Sequence, residues 1–433
     1  MLAISGCRDI GSQELGFVSR FALKLGGYAE GLLSRHDLGI DPAVFRQYLG
    51  STYKALKTVQ STLEGSPARP GSPLVPEVPF WDDPLRPWNW LQDLRFAAGA
   101  ALLIENFRKR MLAKNVMRAL TAKIALTCLT GLLDDLVDRS DFSFLEAKDL
   151  HHLVFSAIID PAFDSNAFTR RLRPILRPNQ ATLLEPMKSL TERFNTLWHE
   201  SPRGPEYFYA MDLLNGRIAV GQAATMFQKD PWFRPGTLRR IATSFYAPTD
   251  GLRWWERLAA HVSGVTRFNL VDLSFSESPL GFGATPNFLE GWYYIDAAVT
   301  LLGQVTRIHE DLRSGIANLS LFALREDELR DQSSILGYEA ELAIEEYEAH
   351  LREIAQLAAK GLTISANELD PPNGYYAFVG IMMPVILLAD WIGNRDELLH
   401  VYVDEVAPAI RRVALSHGVG AAPPMVEPIA ARG

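Results

Sequence analysis

Three aspartates at the end of an apolar stretch constrain this chain more than any other feature of its sequence. The stretch runs from Ala125 to Leu133 and is followed directly by Asp134, Asp135 and Asp138. Burying an unpaired carboxylate costs on the order of several kcal/mol, so carboxylates in such a place normally hold a cation or another charge. Positions four apart share a helix face, and the neighbouring position lies beside them. The run therefore predicts a helix whose acidic end binds a cation.

The type of ligand indicates which cation this is. All three side chains offer hard carboxylate oxygens, and neither Cys nor His stands among them. Oxygen donors of this kind suit Mg²⁺ or Mn²⁺ better than zinc. The sequence therefore predicts that Asp134, Asp135 and Asp138 bind Mg²⁺, with Mn²⁺ as the alternative.

Composition excludes several other classes of protein. The chain has 433 residues, of which 48% are apolar and 22% charged, which is typical of a folded protein with a sizeable core. Its net charge is −8 and it has no dense Lys/Arg stripe, so we expect no nucleic-acid partner. Its two cysteines exclude a disulfide framework and a cysteine-rich zinc site.

Targeting signals are also missing from the sequence pattern. The first residues lack the basic region and apolar core of a secretory leader. The longest apolar run, from Tyr375 to Ala389, is shorter than the about 20 residues that a membrane span needs, and it contains Pro384. We therefore expect a cytoplasmic protein without an integral membrane segment.

The sequence pattern divides the chain into four parts. Residues 1–65 predict an N-terminal helical segment, and residues 66–90 predict an extended, proline-rich strap. Residues 91–417 show helical periodicity without the alternation and turns of β-hairpins, and residues 418–433 predict a flexible tail. The predicted fold is all-α with one main helical domain. Its predicted helices are 91–113, 114–139, 145–158, 183–199, 205–227, 236–246, 251–268, 287–314, 334–361, 373–391 and 394–415.

A second acidic segment offers the remaining metal ligands. One helix face rarely completes an octahedral shell, so further ligands are expected from another element. On a helix, positions 310, 314 and 318 drift by only about 40° per step. Glu310, Ser314 and Asn318 are therefore predicted to form one stripe of oxygen donors, with Asp311 beside it.

Two arginines lie close to this second segment. Arg307 and Arg313 each carry a planar guanidinium group, which binds phosphate oxygens through two parallel hydrogen bonds. Their position predicts a phosphate group as part of the ligand.

Together the two segments resemble the metal-binding motifs of class I terpene synthases. Those enzymes carry an Asp-Asp-x-x-Asp run and, later in the chain, an Asn-Asp-x-x-Ser-x-x-x-Glu motif. In this chain Glu310 stands where the family has Asn and Asn318 where it has Glu, so the end ligands are exchanged. The resemblance covers about residues 90–400. It implies a single class I isoprenoid synthase-like helical bundle, with residues 1–65 as an N-terminal helical extension.

The resemblance also implies a reaction. It is the Mg²⁺-dependent ionisation and cyclisation of a prenyl diphosphate with release of diphosphate, and the number of Mg²⁺ ions implied is three. A C20 substrate is the first expectation, with C15 or a bicyclic diphosphate as alternatives. The resemblance makes Asp134, Asp135, Arg267 and Arg307 the catalytic groups. Arg267, which lies where such enzymes carry a diphosphate-sensing arginine, would bind the diphosphate together with Arg307 and Arg313.

Ionisation leaves a carbocation, which aromatic faces stabilise by about 1–2 kcal/mol per ring in a dry site. Several aromatic residues are therefore candidates for the pocket wall. They are Phe107, Phe194, Trp198, Tyr207, Tyr209, Phe227, Trp292, Tyr375, Tyr376 and Phe378.

A related family provides the main alternative. The stretch from Gln304 to Asp311 also resembles the Gln-x-Thr-x-Ile-x-x-Asp motif of squalene and phytoene synthases, and Asp212-Leu213-Leu214-Asn215-Gly216 resembles an intermediate helix of that family. Their second acidic pair would fall at Ser314-Gly315, where this chain has no carboxylate. Such enzymes couple two prenyl diphosphates head to head and usually need NADPH. The run from Asp134 to Ser140 is also similar to that of bacterial cyclases acting on very long prenyl chains.

A non-enzymatic interpretation also stays open. In it the chain is a helical scaffold or lipid-binding protein whose acidic stripes are merely solvated. The sequence leaves a homodimer open as well.

Overall fold

The structure, a computed structural model, consists of helices joined by turns and short loops. It describes residues 27–36, 38, 40, 43, 45–46, 103–138, 140–230, 233–244, 251–280, 284–336, 338, 342–369, 375–376, 378–388, 391–392 and 394–417. Within these ranges there is no β-strand, so the predicted all-α fold class is confirmed. The predicted proline-rich strap at 66–90 and tail at 418–433 lie outside the described residues, as does most of the N-terminal segment.

The fold is built from α-helices, some of which are joined by short 3₁₀ turns. In chain order the α-helices are α1 (27–35), α2 (Ala113–Asp138), α3 (Phe144–Ala157), α4 (Ser165–Leu172), α5 (Leu184–His199), α6 (Gly204–Thr225), α7 (Pro235–Ser244), α8 (Trp254–Val262), α9 (Val265–Phe275), α10 (Ala284–Val305), α11 (Ile308–Arg313), α12 (Leu319–Arg325), α13 (Gln332–Leu336), α14 (Ile344–Ser365), α15 (Met383–Leu387) and α16 (Asp396–Ser416). The 3₁₀ turns lie at Leu103–Asn106, Arg108–Arg110, Pro178–Leu183, Met226–Lys229 and Ala366–Glu368, and a π-helical turn lies at Phe378–Met382.

Most predicted helices exist, but the described part of 91–113 contains two 3₁₀ turns, 334–361 is divided between α13 and α14, and 251–268 is two helices. Ser263 has an extended backbone (φ −67°, ψ 142°) and ends α8, and α9 begins two residues later. Gly264 occupies the junction because a Cβ there would lie 2.4 Å from Nη2 of Arg267. The glycine thus makes room for the arginine side chain at the start of α9.

Helix α10 lies at the centre of the core, where residues 291–302 are all buried. It packs on α14 on one side and on α8 on the other. Its contact with α14 is very close at one pair of glycines: a Cβ on Gly291 would lie 2.6 Å from the carbonyl oxygen of Gly361, and a Cβ on Gly361 would lie 2.4 Å from that of Gly291. Small residues at this crossing therefore set the distance between the two helices.

Helix α2 is the one described helix that is long and apolar enough to cross a membrane. However, 78% of its most apolar window is buried inside the protein, where α2 packs on α5 and α9. Burial of this kind identifies a core helix, so the described residues contain no clear integral membrane segment.

A histidine pair attaches α1 to α16. Nδ1 of His36 donates to Oδ1 of Asp404 at 2.7 Å, and Nε2 of His36 lies 2.6 Å from Nδ1 of His400. Nε2 of His400 in turn lies 3.3 Å from Nη1 of Arg35. These bonds form one consistent chain only if both imidazoles are neutral, because His36 Nε2 and His400 Nε2 must then act as acceptors.

This contact predicts that α1 is held less tightly against α16 in acid. Burial, His36 and Arg35 together lower the pKa of His400, so the stabilisation is complete above the ordinary histidine pKa and is lost as pH falls below it. Amide protection factors of residues 27–36 should fall between about pH 7.5 and about pH 5.5, by less than about tenfold because the histidine pair is only partly buried and Asp404 is exposed. The variant His400→Gln can make both hydrogen bonds without titrating and should remove the contribution of His400 to this pH dependence. Equal protection at the two pH values in the unmodified protein would contradict the prediction.

Candidate functional site

A polar stripe runs along the otherwise apolar second half of α2. Lys123, Thr127, Thr130, Asp134 and Asp138 are spaced by three or four residues and therefore lie on one face of the helix, within about 80° of its circumference. Lys123 and Thr127 are buried, and Thr130, Asp134 and Asp138 are partly buried. The acidic end of α2 thus continues a polar stripe that begins deep in the core.

Helix α9 carries the groups that match this stripe. Lys123 forms an ion pair with Asp272, and both side chains are almost completely buried. One turn and a half earlier on α9, Arg267 donates from Nη2 to Oγ1 of Thr130 at 3.1 Å. Because a buried charge without a partner is strongly unfavourable, these pairings fix how α2 and α9 lie against each other.

Arg267 is 1% exposed and is held by contacts of several kinds. Its guanidinium carbon lies 4.4 Å above the ring of Phe155, and Nη1 reaches Oδ1 of Asn215 at 3.4 Å. Burial lowers the pKa of Arg267 to about 10, while Asp134 and Asp296 oppose this shift. Its buried Nε has no acceptor among the described residues. Arg267 is therefore a buried, charged group with hydrogen-bonding capacity left over.

Asp296 of α10 fixes the start of the helix that carries Arg267. It accepts hydrogen bonds from Oγ of Ser263 at 2.7 Å, from the backbone N of Thr266 at 3.3 Å and from Oγ1 of Thr266. Burial raises the pKa of Asp296 to about 7, and these hydrogen bonds and Arg267 oppose the rise. Asp296 thus acts as a cap for α9 from a neighbouring helix.

A cavity of about 170 Å³ lies in front of Arg267, between α2, α6, α8, α9 and α10. Three charged side chains line it: Asp134, Arg267 and Arg307. The rest of its wall consists of small polar residues and glycines together with an apolar part. These residues are Thr127, Thr130, Gly131, Gln222, Val262, Ser263, Gly264, Val265, Phe268, Val299, Thr300, Gly303, Gln304 and Leu387.

The aromatic side chains expected around a carbocation do not line this cavity. Most of them pack within the core instead, as Phe194 does on Trp198 and Trp292 does on Tyr375. Phe268, which was not among the candidates, is the aromatic residue on the described part of the wall. Aromatic residues are common in cores, so their presence in the sequence could not indicate which of them face a cavity.

The second acidic segment is not part of one long helix, so the predicted stripe at 310, 314 and 318 is wrong. Helix α10 ends at Val305, the backbone of Arg307 leaves helical geometry (φ −117°, ψ 17°), and α11 contains only Ile308–Arg313. Gly315 then adopts a positive φ of 70°, which ends α11. Glycine takes this conformation without steric cost, and it redirects the chain before position 318.

Asn318 has a structural role instead of joining the predicted stripe. Its Oδ1 accepts from the backbone N of Leu321 at 2.9 Å and so caps α12. Its Nδ2 donates to the backbone O of Gln304 at 2.8 Å and to Oδ2 of Asp311 at 2.7 Å. The amide therefore connects the end of α10, α11 and the start of α12. Both its oxygen and its nitrogen already form hydrogen bonds within the protein.

The remaining members of the second segment differ in exposure. Asp311 is buried, whereas Glu310, Arg313 and Ser314 are exposed. Burial raises the pKa of Asp311 to about 6, although Arg307 and the hydrogen bond from Asn318 favour its charged form. A cation bound beside Asp311 would lower this pKa and so favour the charged carboxylate.

Arg307 brings the two acidic segments together. Burial disfavours its charged form, but Asp311, Asp138, Glu310 and Asp134 more than offset this, so the pKa of Arg307 rises above its usual value. Four carboxylates from two separate segments therefore act on one guanidinium group, beside the cavity that Asp134 and Arg307 both line. Nε of Arg307 is buried and has no acceptor among the described residues.

The donor set fits Mg²⁺ in kind, since Asp134, Asp138, Glu310 and Asp311 all offer hard oxygen atoms. The side chain of Asp135 lies outside the described part of the structure. Among the described residues, no three His, Cys, Asp or Glu side chains already converge as a metal site.

Several residues of this site were missed from the sequence. Thr130 could have been found, because it lies in the spacing that leads from Lys123 to Asp134. Asn215 lies within the stretch that resembles an intermediate helix, and it holds Arg267 from α6. No sequence pattern indicated Asp296 and Ser263, because their role depends on the start of α9 packing against the side of α10.

Comparison with known proteins assigns no family to the chain. No protein-family model matches it, and no curated protein matches it either.

The two possible roles of Asn318 predict different results for Asn318→Ala. A helix cap contributes about 1–2 kcal/mol, so the variant should unfold at a lower temperature. Asn318→Ser keeps a capping oxygen and should recover part of this loss. The measurement is thermal unfolding with and without Mg²⁺ and inorganic diphosphate. Unchanged stability without ligand, combined with a lost response to Mg²⁺, would instead identify Asn318 as a metal ligand.

Proposed function

We propose that this protein is a Mg²⁺-dependent isoprenoid synthase of the class I type, which ionises a prenyl diphosphate. The observation that carries this proposal is that Asp134, Arg267 and Arg307 line one cavity, with carboxylates of both acidic segments acting electrostatically on Arg307. A site of this kind combines carboxylates for divalent cations with buried guanidinium groups for an anion. A metal–diphosphate complex needs both.

The carboxylates would hold the cations. Asp134 and Asp138 would bind them from α2, with Asp135 as the sequence predicts, and Asp311 and Glu310 would bind them from α11. When bound, Mg²⁺ supplies Lewis acidity that offsets the charge developing on a departing diphosphate. Three ions, and Mn²⁺ in place of Mg²⁺, remain expectations from the family resemblance.

The two arginines would bind the diphosphate oxygens. Arg267 and Arg307 both line the cavity and both keep a buried Nε–H without an acceptor among the described residues. In a site with little water, a fixed positive charge interacts with an anion more strongly than it does in bulk solvent. Arg313 is exposed, so its predicted role would require the diphosphate to reach the outer end of α11.

The apolar part of the cavity would receive the hydrocarbon next to the diphosphate. Val262, Val265, Phe268, Val299 and Leu387 form this part of the wall. They would exclude water from the allylic carbon, where premature addition of water would end the reaction. Cyclisation of a C20, C15 or bicyclic substrate is the first interpretation of the steps after ionisation.

Head-to-head coupling of two prenyl diphosphates is a second candidate, and one observation favours it. Gln304 and Arg307 line the cavity and Asp311 is buried, and all three belong to the stretch that resembles squalene and phytoene synthases. Asn318 and Ser314, which the terpene synthase motif would require as ligands, instead cap a helix and face solvent.

Turnover should depend on Asp134. In Asp134→Asn we expect release of diphosphate from C10 to C25 prenyl diphosphates to fall by about 100-fold or more, since the variant loses a charge that would act on the leaving group's cations. The matched control is Asp149→Asn on α3, whose side chain is 67% exposed and forms an ion pair with neighbouring Lys148. Circular dichroism would show that both variants fold.

The outcomes separate enzyme from scaffold. Full turnover in Asp134→Asn would refute the proposed role of this aspartate. Failure of the unmodified protein both to turn over any prenyl diphosphate and to be stabilised by Mg²⁺ with inorganic diphosphate would favour the scaffold or lipid-binding interpretation.

The two enzymatic candidates predict products of different size. Gas chromatography after incubation with a single prenyl diphosphate and Mg²⁺, with and without NADPH, distinguishes them. A cyclase yields a hydrocarbon or alcohol of the substrate's own carbon number, independent of NADPH. A coupling enzyme yields a product with twice that number of carbons.

A further inference from the structure

Lys229 occupies the space between the two acidic segments. It ends the 3₁₀ turn Met226–Lys229 that follows α6, and its side chain is partly buried. Its Nζ donates to the backbone oxygens of Val137 at 3.2 Å, of Asp138, and of Ser140 at 3.2 Å. All three protons of the ammonium group are therefore directed at the C-terminal end of α2 and at Ser140 just after it.

The end of a helix needs such donors. The last four carbonyl groups of an α-helix have no partner within the helix, and the helix dipole gives this end a partial negative charge. At α2 the negative end coincides with Asp134 and Asp138, so carboxylates and carbonyl oxygens repel one another there. Lys229 places a positive charge at this point and also feels Asp138 and exposed Asp141.

The stem of the same lysine lies against the second acidic segment. A Cβ on Gly315, the residue that ends α11, would lie 3.0 Å from Cγ of Lys229. The backbone N of Ala317 donates to the backbone O of Thr225 at 2.8 Å, just before the 3₁₀ turn that carries Lys229. The turn is therefore bonded to the end of α2 on one side and to the loop after α11 on the other.

We propose that Lys229 is a positioning residue that holds the aspartate-bearing end of α2 in register with the acidic segment of α11. Its side chain does not line the cavity, and its three protons are already donated to carbonyl oxygens. It acts on the reaction through Asp138 and the end of α2. This inference rests on the proposed function only in assuming that the two segments bind the same cations.

The test compares neutral and cationic replacements. Lys229→Met removes the donors and the charge, and Lys229→Arg keeps the charge. Lys229→Gln keeps an amide donor and serves as the neutral variant if Lys229→Met does not fold. The matched control is Lys114→Met, an exposed lysine at the opposite end of the same helix. The readouts are turnover against Mg²⁺ concentration, stabilisation by Mg²⁺ with inorganic diphosphate, and amide exchange of the ligand-free protein.

In Lys229→Met we expect the Mg²⁺ concentration for half-maximal turnover and stabilisation to rise by about tenfold. Loss of a group that orients metal ligands typically lowers metal affinity by about 10- to 100-fold. Turnover at saturating Mg²⁺ should recover, Lys229→Arg should lie closer to the unmodified protein, and Lys114→Met should match it. In the ligand-free variant, amide exchange should increase both at the end of α2 and at residues 315–317.

Two results would overturn the proposal. One is an unchanged Mg²⁺ dependence together with unchanged exchange in Lys229→Met. The other is weaker diphosphate binding at saturating Mg²⁺ with an unchanged half-maximal Mg²⁺ concentration, which would make Lys229 a direct ligand. If the unmodified protein responds to neither Mg²⁺ nor diphosphate, the proposed function fails, while exchange at the two segments still decides whether Lys229 joins them.

Discussion

The contact between α2 and α9 holds the core and the candidate site in one arrangement. Both helices lie in the core, yet each carries charged groups into it. Lys123 pairs with Asp272, and Arg267 reaches Thr130 close to Asp134. Charges buried in a medium of low polarity tolerate little displacement, because a pair that separates leaves two uncompensated ions. The polar stripe of α2 therefore fixes the register of the two helices, and with it the position of the cavity between them.

The site shows how a fold can gather like charges before any cation is present. The positive charge of Arg307 interacts with four carboxylates and that of Arg267 with Asp134 and Asp296. Lys229 donates hydrogen bonds to carbonyl oxygens at the end of α2. Each of these positively charged side chains lowers the repulsion between carboxylates that would otherwise drive the acidic segments apart. Burial nevertheless keeps the pKa of Asp311 above its ordinary value, with a smaller contribution from the charge of Glu310. A divalent ion, bound with an anionic ligand, would favour the charged carboxylate, which is the physical basis of the proposed function.

Short breaks between helices position these groups as much as the helices do. The extended backbone at Ser263 lets α9 start with Arg267 near its first turn, and Asp296 caps that turn from α10. The break at Arg307 turns its side chain toward the cavity, and Gly315 ends α11 so that Asn318 can cap α12. A continuous helix would have placed 310, 314 and 318 along one stripe, and the polar groups would have faced a different set of partners.

The fold class, the position of most helices and the acidic end of α2 could be predicted from the sequence, because they depend on periodicity and on the cost of burying charge. The family resemblance placed Asp134, Arg267 and Arg307 in one predicted site, and in the structure these three side chains line one cavity. The sequence did not reveal that Asn318 caps α12, that Asp296 caps α9 from the neighbouring helix α10, or that Lys229 lies between the two acidic segments. The roles of Asp296 and Lys229 require donors and acceptors far apart in sequence to meet within about 3 Å, and that of Asn318 requires α11 to end before it. Helical periodicity in the sequence predicts neither.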